Sequence, residues 1–445
     1  DELWTNLGPE VINISYTGSR SIIHRVIQID FSSISAFLTG FSTYPQPLRL
    51  RLRIFTIFFL YKQTHQTVRK GELSTIMKLV FDKADLVKSV GIAMKAVSGK
   101  TTMPILECIL IDASSNVIKF TSNDMELGIE TIVTGMILER GIVALDAKIF
   151  SEIVRKLPDN QVTIETDENL VTTITCEKAK FNIPGQSGED FSYLPILETS
   201  DCVSISQFTL KELIRQTIFS IAANENNKLM TGELFEIKDN TLRVVSLDGH
   251  RIAIRRIELK DSYPDRKVVV PGKTLNEISK ILSGEMDDQI DIYFSENHIM
   301  FKFDDTTVVS RLIDGEYFRI DQMLSSDYET KVTINKKEFL SCIDRATLLV
   351  KEGDKKPIII DIQDGAMELQ INSAMGSMKE EIDINKEGKD IMIGFNPKFL
   401  IDALRVIDDE EISIYLVNPK APCFIRNEEE SYIYLILPVN FNSVR

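Results

Sequence analysis

Cysteine and histidine are scarce in this chain of 445 residues, which has five of the first and four of the second. The cysteines are far apart and never form a CxxC pair: Cys108, Cys176, Cys202, Cys342 and Cys423. This pattern argues against a disulfide framework and is typical of reduced thiols in a cytosolic protein. No HExxH or other metal-ligand spacing occurs, so the sequence predicts no metal and no cofactor.

Long hydrophobic runs are also missing. The longest strongly apolar run near the start, Ile54–Tyr61, has eight residues and is too short to cross a bilayer. No signal-peptide layout surrounds it. The sequence therefore predicts a soluble, cytoplasmic protein with no membrane partner.

The motifs of common enzyme classes are incomplete. Gly99-Lys100-Thr101 and Gly272-Lys273-Thr274 imitate the end of a phosphate-binding P-loop, but Met94 and Lys267 replace the glycine required five residues earlier. No GxSxG motif occurs, and among 66 acidic residues chance pairs of carboxylates carry no information. We predict that the chain is not an enzyme. A cryptic hydrolase is the enzyme alternative that these absences leave open.

What the chain does have is a long repeat. The helix-like segment KIFSEIVRKL begins at Lys148, KTLNEISKIL at Lys273 and KFLIDALRVI at Lys398, with a spacing of 125 residues both times. A second amphipathic pattern precedes each copy, at Lys83–Ser98, Thr209–Ala223 and Lys336–Val350. A period this long indicates repeated domains and not a solenoid of short units.

The segments between these helices predict strands. They are β-branched and often alternate in polarity, as expected of antiparallel strands with one buried face: Val117–Thr121, Val171–Cys176, Leu242–Val245, Ile290–Phe294, Ile358–Ile362 and Ile412–Val417. Polar, turn-like stretches near Ser200 and Asp327 separate the copies. We predict an α+β fold with domains 77–199, 200–327 and 328–445, each with two helices packed on antiparallel sheet.

Residues 1–76 do not share the repeat. They contain the only tryptophan, Trp4, and no methionine, and the repeat begins at Met77. We interpret them as a non-homologous extension, and our hypothesis is that the start is mis-assigned, so that upstream sequence is read in frame. The alternative is that the alternating Arg49–Arg53 forms a basic amphipathic strand or a patch that contacts a membrane surface.

Charge is segregated along the repeat. Residues 77–445 carry a net charge of −18, yet the six predicted helices contain 15 basic and 7 acidic residues, a net charge of +8. The rest of this region therefore carries −26. This segregation favours a shared electropositive helix surface that faces phosphates. The alternative is that Lys and Arg are good helix formers that pair with acids one turn away, as Lys148 could with Glu152.

Six local sequences are distinctive: TTMPILECILI (101–111), SNDMELGIE (122–130), SLDGHRIAI (246–254), VPGKTLNEI (270–278), GFNPKFLIDAL (394–404) and YLILPV (434–439). From Met77 to about Phe441 the chain resembles the bacterial replicative sliding clamp, the β subunit of DNA polymerase III. The resemblance implies three clamp domains and a homodimer that closes head to tail into a ring with six-domain pseudo-symmetry. Such a ring encircles DNA and confers processivity without catalysis.

The resemblance also implies partners and residues for DNA. The partners are double-stranded DNA of any sequence, the catalytic subunit of DNA polymerase III, the clamp loader and other proteins with a clamp-binding motif. Residues expected to face DNA are Lys100, Lys148, Asn224 and Lys273, and the repeat adds Arg155 and Lys398. For each residue alone, an ordinary solvated surface position is the alternative.

A hydrophobic slot for partner peptides is the second implied surface. Its residues by family match are Met230, Leu247, Gly249, His250, Arg251, Ile252, Met323, Leu435, Ile436, Leu437, Pro438 and Val439. The alternative for DGHR is a tight turn with Gly249 in an unusual backbone conformation, and we expect both roles. Asn440 and Phe318 depart from the family pattern at the rim of the slot.

The third implied surface closes the ring. Leu348 and Leu349 match apolar interface positions, and the opposing edge and the acids that could pair with its lysines are Lys178, Lys180, Phe181, Glu380 and Glu381. Ordinary core and surface roles explain each of these residues equally well. The functional alternative for the whole chain is a clamp-fold peptide-binding scaffold that does not act in replication, which a test of DNA retention that depends on circularity would separate from a clamp.

Overall fold

A strand–helix–strands–helix unit occurs three times in the structure, which confirms the predicted fold class. The computed structural model describes residues 76–99, 101–197, 202–223, 227–324, 327–350 and 356–441. The predicted extension lies outside these ranges except for Ile76, as does the predicted boundary at Ser200. The domain boundaries therefore stay a prediction.

The first domain has two helices and nine strands among its described residues. In chain order they are β1 Met77–Asp82, α1 Lys83–Ala93, β2 Cys108–Asp112, β3 Ile118–Asn123, β4 Leu127–Val133, β5 Met136–Glu139, β6 Ile142–Asp146, α2 Ala147–Lys156, β7 Gln161–Thr166, β8 Val171–Cys176 and β9 Ala179–Gln186.

The second domain repeats this order, and two of its elements, β11 and β12, each span more than one strand of the repeat. Its elements are β10 Cys202–Ser206, α3 Gln207–Thr217, β11 Gly232–Leu247, β12 Arg251–Pro271, α4 Gly272–Ser279, β13 Gln289–Phe294, β14 His298–Phe303 and β15 Thr306–Arg311.

The third domain returns to separate short strands. Its elements are β16 Thr330–Asn335, α5 Lys336–Thr347, β17 Ile358–Gln363, β18 Ala366–Ser373, β19 Gly376–Asp383, β20 Asn385–Gly388, β21 Ile391–Phe395, α6 Pro397–Val406, β22 Glu411–Leu416, β23 Cys423–Arg426 and β24 Tyr432–Ile436.

Each helix begins directly after a strand because the residue at the junction caps it. A side-chain oxygen of that residue accepts a hydrogen bond from an amide of the first turn in five of the six described helices, at Asp82, Asp146, Ser206, Asn335 and Asn396. Such caps satisfy amides that have no partner within the helix. Helix α4 instead follows Pro271, which makes no such bond.

The first helix of each domain is shorter than the sequence predicts. Helix α1 ends at Ala93 and tightens into a 3₁₀ turn over Met94–Ala96, and α3 ends at Thr217 before a similar turn over Ile218–Ser220. The apolar stripe continues through these turns, so a pattern that predicts one long helix is satisfied by a helix and a tighter final turn.

Two of the three sheets cross a domain boundary, which fixes the domains to one another. Strand β4 pairs with β15 at what we call the first joint, and β12 pairs with β24 at the second joint. Both pairings are antiparallel, and the first also contains a buried hydrogen bond of 3.0 Å between the hydroxyl groups of Thr131 and Thr306. The backbone ladder therefore continues from domain to domain.

Each domain has its own apolar core between its sheets and its helices. Phe120 and Phe150 meet edge to face in the first core, with ring centroids 6.1 Å apart, and Phe235 and Phe339 are fully buried in the second and third. Among the described residues, no helix combines the length and apolar character that a membrane crossing requires.

Candidate functional site

The helix-leading lysines are surface residues at matching positions. Lys148, Lys273 and Lys398 lie in the first turns of α2, α4 and α6, and all three are exposed. The apolar residue two positions later is buried in each helix, at Phe150, Leu275 and Leu400. Each lysine therefore points away from the core while its helix is fixed by packing.

The helices carry a net positive charge within their observed bounds. They contain 13 basic and 7 acidic residues, a net charge of +6, instead of the +8 expected from the sequence. Helix α4 is neutral because Lys280 follows its end, so five of the six described helices are positive and not all six. The net positive charge of the helices is confirmed, and it is smaller than the sequence predicted.

Pairing within a helix explains only part of this charge. Arg215 binds Glu212 within α3 at 2.5 Å, and Lys280, just past the end of α4, binds Glu277 at 2.7 Å, but no ion pair among the described residues joins Lys148 to Glu152. Unpaired cations on a folded surface are available to a polyanion.

The predicted DNA-facing residues differ in their surroundings. Arg155 is exposed and its Nε donates to the Ser151 carbonyl at 3.4 Å. Lys273 forms an ion pair across the first joint with Asp124, whereas no ion pair in the described ranges involves Lys148 or Lys398. Lys100 and Asn224 lie outside the described residues.

An apolar cluster covers the side of the second joint that faces away from the helices; we call it the outer cluster. Its buried members are Leu234, Val245, Leu247, Ile252, Ile254, Val269, Tyr317, Ile320, Tyr415, Phe424, Ile433 and Leu435. Leu229, Met230, Ile313, Phe318 and Leu324 pack against it and remain partly exposed. It unites four predicted slot residues, Met230, Leu247, Ile252 and Leu435, with Phe318, which was expected at the rim, and with residues that the sequence did not indicate: Leu229, Ile313 and Leu324.

Strand alternation divides the C-terminal slot residues between two faces. Ile433 and Leu435 belong to the outer cluster, whereas Tyr434 and Ile436 belong to the third-domain core on the helix side. Side chains of successive strand residues point to opposite faces of a sheet. Ile436, 1% exposed, therefore lies away from the surface that its neighbours form.

The exposed edge of the outer cluster is apolar. Met323 is 48% exposed, and its amide donates to the Ile320 carbonyl at 2.8 Å, which holds it beside the cluster. Leu437 is 37% exposed, and its amide donates to the His250 carbonyl at 2.9 Å. Pro438 and Val439 are partly buried beyond it, and Asn440 is exposed.

The turn between β11 and β12 has a backbone conformation that favours glycine. Gly249 has a φ of +86°, where a side chain would be strained, and open space surrounds the position that a Cβ would occupy. Asp248 accepts from the amides of His250 at 2.9 Å and Arg251 at 3.1 Å. The expected tight turn is present, and it sets His250 against Phe399 with ring centroids 6.0 Å apart.

Arg251 joins the second domain to the third. Its buried guanidinium binds Asp248 at 3.0 Å, Asp402 of α6 at 2.7 Å and the Phe219 carbonyl at 2.6 Å. It also stacks over Phe399, with 4.5 Å from Cζ to the ring centroid. A guanidinium with these partners has a structural role. Arg251 therefore fixes the position of the slot and does not offer it an unpaired positive charge.

The outer edges of β9 and β19 are open. Among the described residues, β9 pairs with β8, and with β6 only at Gly185 and Gln186. Strand β19 pairs only with β18 in the same part of the chain. The predicted interface residues lie on or beside these edges. Lys178, Lys180 and Phe181 are exposed, Leu348 is 74% exposed, and Leu349 packs against the third-domain core.

The predicted acidic residues of this interface differ. Glu381 is exposed, whereas Glu380 binds Arg345 of its own chain, with the Nε atom 3.0 Å from the carboxylate. This hydrogen bond lowers the pKa of Glu380. A pairing of Glu380 with a lysine of a second chain would therefore compete with Arg345, and it stays a prediction.

One buried carboxyl lies on β11, where its residue pairs with Val270 of β12. Glu233 is fully buried, and neither of its carboxyl oxygens accepts a hydrogen bond within the part of the chain that the structure describes. The nearby Thr217 hydroxyl donates instead to the Leu213 carbonyl at 2.6 Å. Loss of solvation therefore raises the pKa of Glu233 to about 8.

We expect Glu233 to make the protein less stable as the pH rises. Because its pKa is higher in the folded state, the folded chain binds more protons between about pH 4.5 and 8, and the stability present below this window is lost across it. Glu233→Gln should flatten that dependence by about 1.4 kcal/mol per pH unit. Denaturant unfolding over this range measures the effect, with the exposed Glu258→Gln as control. Parallel profiles for wild type and Glu233→Gln would contradict it.

The described residues hold no group of three or more His, Cys, Asp or Glu side chains arranged to bind a metal ion. All five cysteines are free thiols, and four of them are buried.

Comparison with protein-family models gives one match per domain. The model described as DNA polymerase III beta subunit, N-terminal domain, matches residues 77–195. The models for the central and C-terminal domains of the same subunit match residues 204–318 and 321–440.

Individual proteins are similar over the same region. The "Beta sliding clamp" of Staphylococcus epidermidis is 33% identical over 375 residues, which cover 82% of this chain and 99% of that protein. The structure of a DNA polymerase III beta subunit from Eubacterium rectale is 72% identical, with a TM-score of 0.80, and the match covers 82% of this chain and 100% of that one. The DNA polymerase sliding clamp from Bacillus subtilis is 35% identical, with a TM-score of 0.79 and the same coverage.

Proposed function

The chain belongs to the family of DNA polymerase III beta subunits, the bacterial beta sliding clamps, and from this premise we propose how two copies of it act on DNA. It is a non-catalytic sliding clamp for DNA replication. In our proposal, two chains close head to tail into a ring of six domains that encircles duplex DNA. The ring tethers the replicative polymerase and admits the clamp loader and other peptide-bearing partners.

The observation that carries the ring is the pair of open strand edges. By order within the repeat, β4, β12 and β19 are equivalent strands, and so are β9, β15 and β24. The first joint pairs β4 with β15, and the second pairs β12 with β24. One strand of each kind is left without such a pairing among the described residues, β19 and β9.

These two edges complement each other between chains. An open edge exposes unpaired amides and carbonyls that favour pairing with another strand. Pairing β19 of one chain with β9 of a second repeats the geometry of the two joints already formed. In our proposal, this pairing forms at both ends of two copies with three domains each and closes them into a ring of six domains.

The helix surface accounts for sliding. With the sheets outside, the positive helices would line the hole and the acidic remainder would face solvent. Topology retains the ring, so contacts between lysine and phosphate can stay weak and exchange quickly. Each phosphate neutralised contributes about 0.9 to the salt dependence of direct binding.

The outer cluster accounts for tethering. Its exposed edge is apolar, and backbone groups near the Gly249 turn supply polar contacts, as binding of a short peptide requires. The slot would then lie on the opposite side of the second joint from the helices. A polymerase held there would not block the hole. We propose that the protein works in the cytoplasm with the replication machinery, a location that its free thiols support.

The test is retention on DNA as a function of DNA topology. Protein loaded onto a nicked circular plasmid should remain bound during gel filtration in high salt, and one cut of the plasmid should release it. A peptide-binding scaffold that does not encircle DNA would show the same retention on both forms. Equal retention before and after cutting would therefore reject the ring and favour the scaffold.

A further inference from the structure

The three helix-leading lysines differ in whether a carboxylate faces them. The turn between β3 and β4 begins with Asp124, whose carboxylate binds Lys273 of α4 across the first joint. The matching turn between β11 and β12 begins with Asp248, but that carboxylate binds Arg251 at 3.0 Å. No ion pair in the described part of the chain reaches Lys398.

The third matching turn has no acid. Strands β18 and β19 are joined by Ala374 and Met375. In the proposed ring this turn of one chain would face Lys148 of the next. Lys148 would therefore meet no carboxylate from it, and only Lys273 is held among the three equivalent lysines.

Asp124 is a fixed partner for Lys273. Its side chain is only 5% exposed, and its Oδ1 accepts from the amides of Glu126 at 3.0 Å and Leu127 at 2.7 Å. The Oδ2 atom is left for Lys273, whose side chain is 58% exposed. A rigid carboxylate thus faces a lysine that is still open to solvent.

We propose that Asp124 is an affinity-setting residue: in the free clamp it holds Lys273, and DNA phosphate must displace it to reach that lysine. This inference rests on the proposed function, because it requires duplex DNA along the helix surface. Because the Lys273 side chain is more than half exposed, its ion pair with Asp124 is weak enough to be exchanged for one with another anion. The exchange lowers the net gain from a phosphate contact at α4, while Lys148 and Lys398 contact phosphate without it.

The consequence is that the ring contacts DNA phosphate less favourably at α4 than at the other two lysine positions. Contact at α4 is penalised by the loss of the Asp124 pair, which also removes one tie across the first joint. The ladder between β4 and β15 and the hydroxyl pair of Thr131 and Thr306 remain. DNA contact would therefore loosen this joint without opening it.

The test is Asp124→Asn in the full chain, which keeps the Oδ1 acceptor of the turn and removes the charge that holds Lys273. Binding of a short fluorescent duplex is followed by anisotropy at several salt concentrations. Asp124→Asn should bind roughly two- to fivefold more tightly at low salt, the range that an exposed ion pair spans. Its salt slope should rise by up to about 0.9, as for one added phosphate contact.

The matched variants are Lys273→Gln and the double variant Asp124→Asn/Lys273→Gln. The double variant should bind no more tightly than Lys273→Gln alone. A gain that survives without Lys273 would overturn the proposal, because Asp124 would then act by its own repulsion. No gain in Asp124→Asn, with thermal unfolding unchanged, would overturn it as well.

A second measurement tests the proposal without the Asp124→Asn variant, in case that variant does not fold. In the wild-type background, Lys273→Gln should cost less DNA affinity than Lys148→Gln, since only Lys273 gives up a partner on binding. An equal or greater cost would reject the role of Asp124. Failure of the proposed function looks different: wild-type binding would then be insensitive to salt and to both lysine substitutions.

Discussion

Leu348→Asp is expected to convert the dimer into monomers at low micromolar concentration. Leu348 follows α5 at the proposed closing edge and is 74% exposed in the single chain, so the substitution leaves the fold intact. In the ring it would remove an apolar contact worth about 1.5–3 kcal/mol. It would also place a carboxylate in an interface that excludes water, at a cost of several kcal/mol.

The expected loss in dimer affinity is large because each ring has two such interfaces. A cost above about 3 kcal/mol per interface is above about 6 kcal/mol for the ring, which corresponds to more than about 10,000-fold in the dissociation constant. Sedimentation velocity of wild type and variant measures it, and the variant should also fail to stay on circular DNA.

The matched control is Leu138→Asp. Leu138 is 51% exposed on β5, away from the open edges of β9 and β19, and its substitution should leave the dimer unchanged. A Leu348→Asp protein that still sediments as a dimer would place the interface elsewhere. Leu349 is a poorer choice, since it packs against the third-domain core and its loss would destabilise the monomer.

The sequence predicted the repeat well because each unit depends on local signals. The residue before Lys83 or Lys336 is a helix-capping Asp82 or Asn335, and an apolar stripe follows at helical spacing. Both helices begin at the predicted residue. Their ends were predicted less well, because an apolar stripe does not distinguish an α-helix from a 3₁₀ turn.

The long strands of the second domain were only partly predicted. The sequence indicated Leu242–Val245, whereas β11 extends over Gly232–Leu247. Polar residues around Asp239 are typical of a turn, and the chain does reverse there, because Glu236 and Arg243, seven residues apart, form an ion pair at 2.5 Å that a straight strand cannot bring together. Asp239 has a φ of +51°, a backbone conformation that Asp and Asn tolerate in turns, so the part that the sequence missed is the first arm of this hairpin.

Long-range partners account for the rest of the differences. Arg251 was placed in the slot by resemblance, yet its partner Asp402 is 151 residues away, and no local pattern indicates such a pair. The same holds for Lys273 and Asp124, 149 residues apart. Ile436 is a different case: the two-residue period of a strand is enough to separate it from Leu435 and Leu437.

Met323→Asp and Leu437→Asp are expected to abolish most of the affinity for partner peptides while the protein stays folded. Both side chains are partly exposed at the edge of the outer cluster, so neither is needed to fill a core. An apolar peptide side chain would bury them, and each loss should cost about 1.5–3 kcal/mol, or roughly 10- to 100-fold in affinity.

Point substitutions are needed here because a truncation would not be specific. Removing the chain from Leu435 would cut β24, which pairs with β12 on one side and β23 on the other, and would damage the second joint itself. Isothermal titration with a peptide from the cognate replicative polymerase measures the affinity of the point variants.

Met286→Asp is the control, since Met286 is 68% exposed in the second domain and lies outside the outer cluster. Because the slot and the helix surface lie on opposite sides of the second joint, both slot variants should still be retained on circular DNA. Full peptide affinity in both variants would mean that partners bind a different surface of the ring.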